Sequence, residues 1–280
     1  MSNRIDVKKT YKLFINGAFP RTESGRTYEV KSAKGAFVAN PCLASRKDLR
    51  DAVVAARNAQ ISWDSATAYN RGQILYRIAE MLEGRREQFV DEIILLTGVT
   101  KSKAQKEVTE SIDRLVWYAG WSDKLTSLAG ATNPVAGPYY NFTIPESVGV
   151  VGVIAPELPA LLGFIDAIAP VIVSGNTCVV IASSKAPLSA MTFAEVLATS
   201  DLPAGVINIL TGKRDELAPW MASHMDIDGM DITGISSKNE GKLRLAGAEN
   251  LKRIFTFKKA EPARILAFME SKTVWHPIGL

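Results

Sequence analysis

ESVGVVGVIAPELPALLGFIDAIAPVIVSGNTCVVIASSKAPLSAMTFAEVLATSDLPAGVINILTG, residues 146–212, reads as strand, turn, helix, strand, helix, strand. Val148 to Ile154 is rich in β-branched residues and ends at the breaker Ala155-Pro156. Leu158 to Val173 is apolar on nearly every side, which predicts a buried helix or one covered on both faces. Gly175-Asn176 interrupts it, and Cys178 to Ile181 follows as a short buried strand. Pro187-Leu188 opens a second helix where proline costs little. Asp201 to Gly205 ends that helix, and Val206 to Leu210 is the next strand. Apolar strands alternating with helices predict a parallel α/β sheet.

Outward from this run, composition narrows the function classes. The chain has 280 residues, 47% of them hydrophobic, and a net charge of +4. That is enough apolar material for one large domain or two small ones. Basic residues are scattered among acids, so a nucleic-acid face is not expected. Two cysteines and two histidines form neither a disulfide framework nor a zinc pattern. Cys178, in an apolar strand, reads as a small buried hydrophobe; Cys42 follows Pro41 without an adjacent histidine. MSNRIDVKK has no apolar core, and Leu158 to Val173 falls short of a membrane span. The expectation is a reduced, cytoplasmic protein without a membrane partner.

Tyr11 to Phe19 reads as strand and turn, with Asn16-Gly17 as a hairpin signal. Ser45 with Asp48 three residues on predicts a capped helix over Lys47 to Ile61. Arg71 to Gly98 reads as one long amphipathic helix, and Lys103 to Leu125 as another. Gly137 to Val153 is expected to form a long β-hairpin turning near Pro145. Beyond Gly212, helices over Glu216 to His224 and Asn239 to Ala246 alternate with strands over Gly229 to Thr233 and Leu251 to Phe257.

YKLFINGAF (11–19), WYAGWSDKL (117–125), GVVGVIAPEL (149–158), SGNTCVVIASS (174–184), LPAGVINILTG (202–212) and FMESKTVWHPIG (268–279) together resemble the aldehyde dehydrogenase superfamily. The resemblance implies a Rossmann-like cofactor domain with N-terminal helices and a protruding β oligomerisation sheet. It divides the chain into an N-terminal strand and helical part of the cofactor domain (1–136) and an oligomerisation hairpin (137–153). A degenerate Rossmann-like part (154–267) and a C-terminal oligomerisation strand (268–280) follow. About ten residues separate Phe257 from Phe268, where a family member carries its catalytic domain.

Family chemistry requires a thiolate nucleophile, a base, an oxyanion donor and a nicotinamide cofactor. The cysteine motif is absent. Leu158 stands where the family has its oxyanion asparagine, and Phe257 where it has its general-base glutamate. Neither side chain can donate or accept the proton required. The family's ribose-binding lysine and glutamate correspond to Ile181 and Ser184, its phosphate-loop glycines to Arg214 and Ala218, and its phosphate-contacting serine to Ile235. Gly212, Thr233 and Gly234 remain and read as turn geometry. Asp215 and Glu216 place negative charge where a pyrophosphate would approach a helix N-terminus. No cofactor is therefore expected; NAD held through Lys185 or Lys213 is the alternative.

The resulting expectation is a catalytically incompetent subunit that assembles with itself or with a full-length aldehyde dehydrogenase. Its oligomerisation residues are expected to be Tyr140, Phe142, Ile144, Val148, Val150, Lys272, Val274 and Trp275. The alternative is an NAD-dependent oxidoreductase, converting aldehyde to carboxylate, whose active site another chain completes.

Overall fold

The computed structural model describes residues 7–279. A small antiparallel pair, β1 (Val30–Lys31) and β2 (Phe37–Ala39), precedes four helices: α1 (Arg46–Ser65), α2 (Ala68–Glu83), α3 (Arg86–Thr97) and α4 (Lys101–Ala119). The short α5 (Leu125–Ala129) leads into β3 (Ala131–Asn133), β4 (Tyr139–Ser147) and β5 (Val150–Ile154). Then α6 (Ala160–Val173), β6 (Thr177–Ile181), α7 (Leu188–Leu197), β7 (Ile207–Leu210), α8 (Arg214–Ser223), β8 (Gly229–Asp231), α9 (Ser237–Ala248) and β9 (Arg253–Phe255) alternate. The chain continues through α10 (Pro262–Leu266) into β10 (Met269–Pro277).

The central sheet has the order β7-β6-β5-β8-β9, with every pair parallel. Its residues alternate between two cores. Val151, Val153, Cys178 and Val180 pack with α6, α7, α2 and α4 on one face. Val150, Ile154, Val179 and Ile181 pack with α1 and α8 on the other. Coverage of both faces explains why the strands read as continuous apolar runs, without a polar alternation. It also explains why α6 is apolar nearly all round: it lies between the sheet and α4.

Several local expectations are realised by specific contacts. Ser45 and Asp48 form the reciprocal capping box of α1. Asn16 and Gly17 both have positive φ, as the tight turn between Ile15 and Ala18 demands. The single helix expected over 71–98 is instead two. Arg85, at φ −113°, leaves helical geometry, and its guanidinium is held by Glu195 of α7 at 3.0 Å. Lys103 to Leu125 is likewise shortened to α4, followed by a separate turn and α5.

The larger difference concerns the hairpin expected over 137–153. β4 and β5 do not pair with each other. β4 belongs to a separate antiparallel sheet of order β10-β4-β3, whereas β5 is the central strand of the parallel sheet. Gly149, at φ +125°, redirects the chain between them, and the Gly149 N–H donates to Asn176 Oδ1 at 2.8 Å. Val150 is consequently buried opposite Thr177, and Val148 packs on the main core. Neither is a residue of the protruding sheet, and the boundary at 153 falls inside β5. A continuous β-branched run carries no mark of where it changes sheets.

Candidate functional site

β5 pairs with β6 on one side and β8 on the other, so the strand order reverses there. Open α/β sheets ordinarily leave a ligand crevice at the carboxyl ends of the strands flanking such a point. Here the crevice contains the protein's own side chains. Glu157, in the turn after β5, accepts from Ser183 Oγ (2.8 Å), Ser184 N–H (3.0 Å), Ser184 Oγ (2.7 Å) and Lys185 N–H (3.1 Å). Arg214, the first residue of α8, reaches the same carboxylate at 3.3 Å. Its guanidinium also donates to Gly234 O at 2.7 Å and to Ala182 O at 3.5 Å. One arginine thus bridges the segments that follow β5, β6 and β8, and its side chain is only 8% exposed.

The electrostatics follow from this packing. Burial raises the Glu157 pKa, but hydrogen bonds from Ser184 and the charge of Arg214 outweigh it and hold the carboxyl below its ordinary value. Burial lowers Arg214, against the opposing pull of Glu157. The backbone is equally tight. A Cβ on Gly234 would lie 2.0 Å from Ala155 O, so Gly234 serves close approach of two chain segments. Gly212, at φ +151°, packs beside Ala44 N. Thr233 Oγ1 accepts from Phe257 N–H at 2.9 Å and anchors the segment after β9. These three positions have structural partners within the chain.

Other expected positions are separated or turned away. Ile181 is buried in β6, and Ala218 is buried in α8. Ile235 lines an open groove between α8 and α9, crossed by an Asn239 Nδ2 to Asp215 Oδ1 hydrogen bond of 3.0 Å. Asp215 and Glu216 occupy the first turn of α8, where Lys213 pairs with Glu216 at 3.2 Å. Lys185 is exposed. Cys42 and Cys178 are both free and buried, and burial pushes the Cys178 thiol up, away from thiolate character. Among the described residues no cluster of His, Cys, Asp and Glu could hold a metal ion. No helix there is long and apolar enough to cross a membrane.

Of the two residues expected at positions of catalytic chemistry, Leu158 is half exposed, and Phe257 lies in an aromatic group with Phe255 and Phe268. Beside Phe257, α10 seals the place where the chain turns back. Arg264 places its guanidinium 4.8 Å from the Phe257 ring centroid and pairs with Asp231 at 2.6 Å. Both charged side chains are almost wholly buried, at 4% and 0% exposure. Ile265 and Phe268 complete the seal. Neither Glu157 nor the Asp231–Arg264 pair stands out in the sequence. The signal the sequence offers is Arg214 at the start of α8, where the resemblance leads to an expectation of glycine.

The fold is a doubly wound, Rossmann-like α/β domain with a second, separate antiparallel sheet. The chain belongs to the aldehyde dehydrogenase family, whose model matches residues 20–256. It is 36% identical over 257 residues to retinal dehydrogenase 2 of Gallus gallus, covering 89% of this chain and 48% of that protein. It is 32% identical over 260 residues to mitochondrial 10-formyltetrahydrofolate dehydrogenase of Mus musculus, covering 90% of this chain and 28% of that protein. Among solved structures, the NAD+ complex of an aldehyde dehydrogenase from Bacillus cereus superposes with a TM-score of 0.83 at 30% identity, covering 88% of this chain and 50% of that one. The chain therefore spans about half or less of the length of these relatives.

Proposed function

We propose that this chain is a non-catalytic aldehyde dehydrogenase subunit that acts through assembly, with itself or with a full-length family member. The observation that carries the reading is the sheet β10-β4-β3. β10 pairs with β4 over nine residues, from Met269 opposite Ser147 to Pro277 opposite Tyr139. Strand alternation places Tyr140, Phe142 and Ile144 on the same face as Val274 and Lys272. Trp275 lies on the opposite face, against Tyr139. Tyr140 and Trp275 remain exposed, and the outer edge of β10 has no strand partner among the described residues. Exposed aromatics beside an open edge favour association. Leucine and phenylalanine at the family's chemical positions supply neither an oxyanion donor nor a base.

The test is light scattering of the purified chain, alone and mixed with a full-length family member from the same source. A stable oligomer is expected in at least one setting. Combined Phe142→Asp and Val274→Asp substitutions should dissociate it while the central domain stays folded by circular dichroism. A chain that remains monomeric in both settings overturns the reading. So does aldehyde-dependent NADH formation by the purified chain.

A further inference from the structure

We propose that Glu157 is an internal ligand: its carboxylate occupies the anion-binding groups at the carboxyl edge of the sheet, and the chain thereby closes its own dinucleotide crevice. This inference stands apart from the assembly reading, since it concerns a different part of the molecule.

The donors around Glu157 are arranged as they would be around a bound oxyanion. Successive backbone N–H groups of Ser184 and Lys185 converge on Oε2 at 3.0 and 3.1 Å, and successive N–H groups of this kind form an anion-binding concavity. The Ser183 hydroxyl joins them on Oε2, and the Ser184 hydroxyl takes Oε1. The Arg214 guanidinium supplies the positive charge, locked in place by the Gly234 and Ala182 carbonyls. A carboxylate offers about four lone-pair sites, and these five contacts fall on its two oxygens, with the Ser183 hydroxyl also reaching the Glu157 carbonyl, so little acceptor capacity remains.

Tethering decides the competition. Glu157 is presented by the short turn between β5 and α6, so it meets these donors as an intramolecular ligand at high effective concentration. A free phosphate group must displace it and then share a crevice with a guanidinium where the family has a glycine. A dinucleotide would also lose the backbone room that the glycine provides. The family's cofactor therefore does not fit the crevice as this chain builds it.

Isothermal titration of the purified chain with NAD and with inorganic phosphate tests this. The wild type should give no saturable binding with either. Glu157→Ala should gain phosphate affinity by about tenfold or more, because a charge-assisted donor set is released. Adding Arg214→Ala should remove the gain. Saturable NAD binding by the wild type overturns the proposal, as does unchanged phosphate affinity in a Glu157→Ala protein that folds. If Glu157→Ala does not fold, the Glu157 carboxyl of the wild type, titrated by NMR, decides the matter. Titration below the ordinary carboxylate value supports an occupied site, and titration at the ordinary value overturns it.

Discussion

The crevice at the carboxyl end of the central sheet and the projecting β10-β4-β3 sheet treat their polar groups in opposite ways. In the crevice, arginines and carboxylates turn inward and form ion pairs with one another: Arg214 with Glu157, and, around the next strand, Arg264 with Asp231. In the projecting sheet, charges sit on the surface, as in Lys272–Glu146, while Tyr140 and Trp275 are left exposed. One region is closed by its own side chains. The other keeps an edge and an apolar face available. The same fold therefore carries one region whose polar groups face inward and one whose polar groups face solvent.

The largest expected effect tests the closure. Arg264→Ala would leave the Asp231 carboxylate buried without its charge partner, with the Thr233 N–H still donating to it, which costs about 3–5 kcal/mol. Urea unfolding should register that loss as a lower midpoint. A change below about 1 kcal/mol would mean that α10 is not a structural seal, since breaking a truly buried pair is costly.

A smaller effect sharpens the comparison through pH. The folded Glu157 pKa is depressed below its ordinary value of about 4.5. Its stabilisation is therefore fully present above that unfolded value and is lost as pH falls through the lower folded value. At pH 7, Glu157→Gln should destabilise the chain by about 1–2 kcal/mol, the scale of hydrogen bonds to a charged group. The difference between the two proteins should disappear progressively below pH 4.5 in thermal unfolding curves. A difference independent of pH would locate the effect in packing and not in charge.

The smallest effect belongs to the projecting sheet. Lys272→Ala breaks a 2.8 Å pair between side chains that are 56% and 43% exposed. Solvent screening should hold the cost within about 0.5 kcal/mol. A loss as large as that of Arg264→Ala would remove the contrast between the two regions.

Much of the fold is legible in residue order. The alternation from β5 to β9, the Ser45 capping box and the pairing strand at the tail all rest on short-range patterns. The absence of a nucleophile motif and the identities of Leu158 and Phe257 are equally plain. The hairpin expected over 137–153 does not form: strand periodicity does not reveal which sheet a strand joins. Val150 alternates like its neighbours but lies beside Thr177, not beside β10. The break at Arg85 is not legible in the sequence for a related reason: its anchor, Glu195, is 110 residues away.

The sequence alone determined that this chain has an α/β core with family-like strands, and that leucine and phenylalanine stand at positions 158 and 257, because residue type and periodicity are local properties. Tertiary structure alone decided which charged side chains meet. It brought Glu157, Ser183, Ser184 and Arg214 together from three separate segments and buried Arg264 against Asp231. A charge acquires its partner and its desolvation only when distant parts of the chain meet.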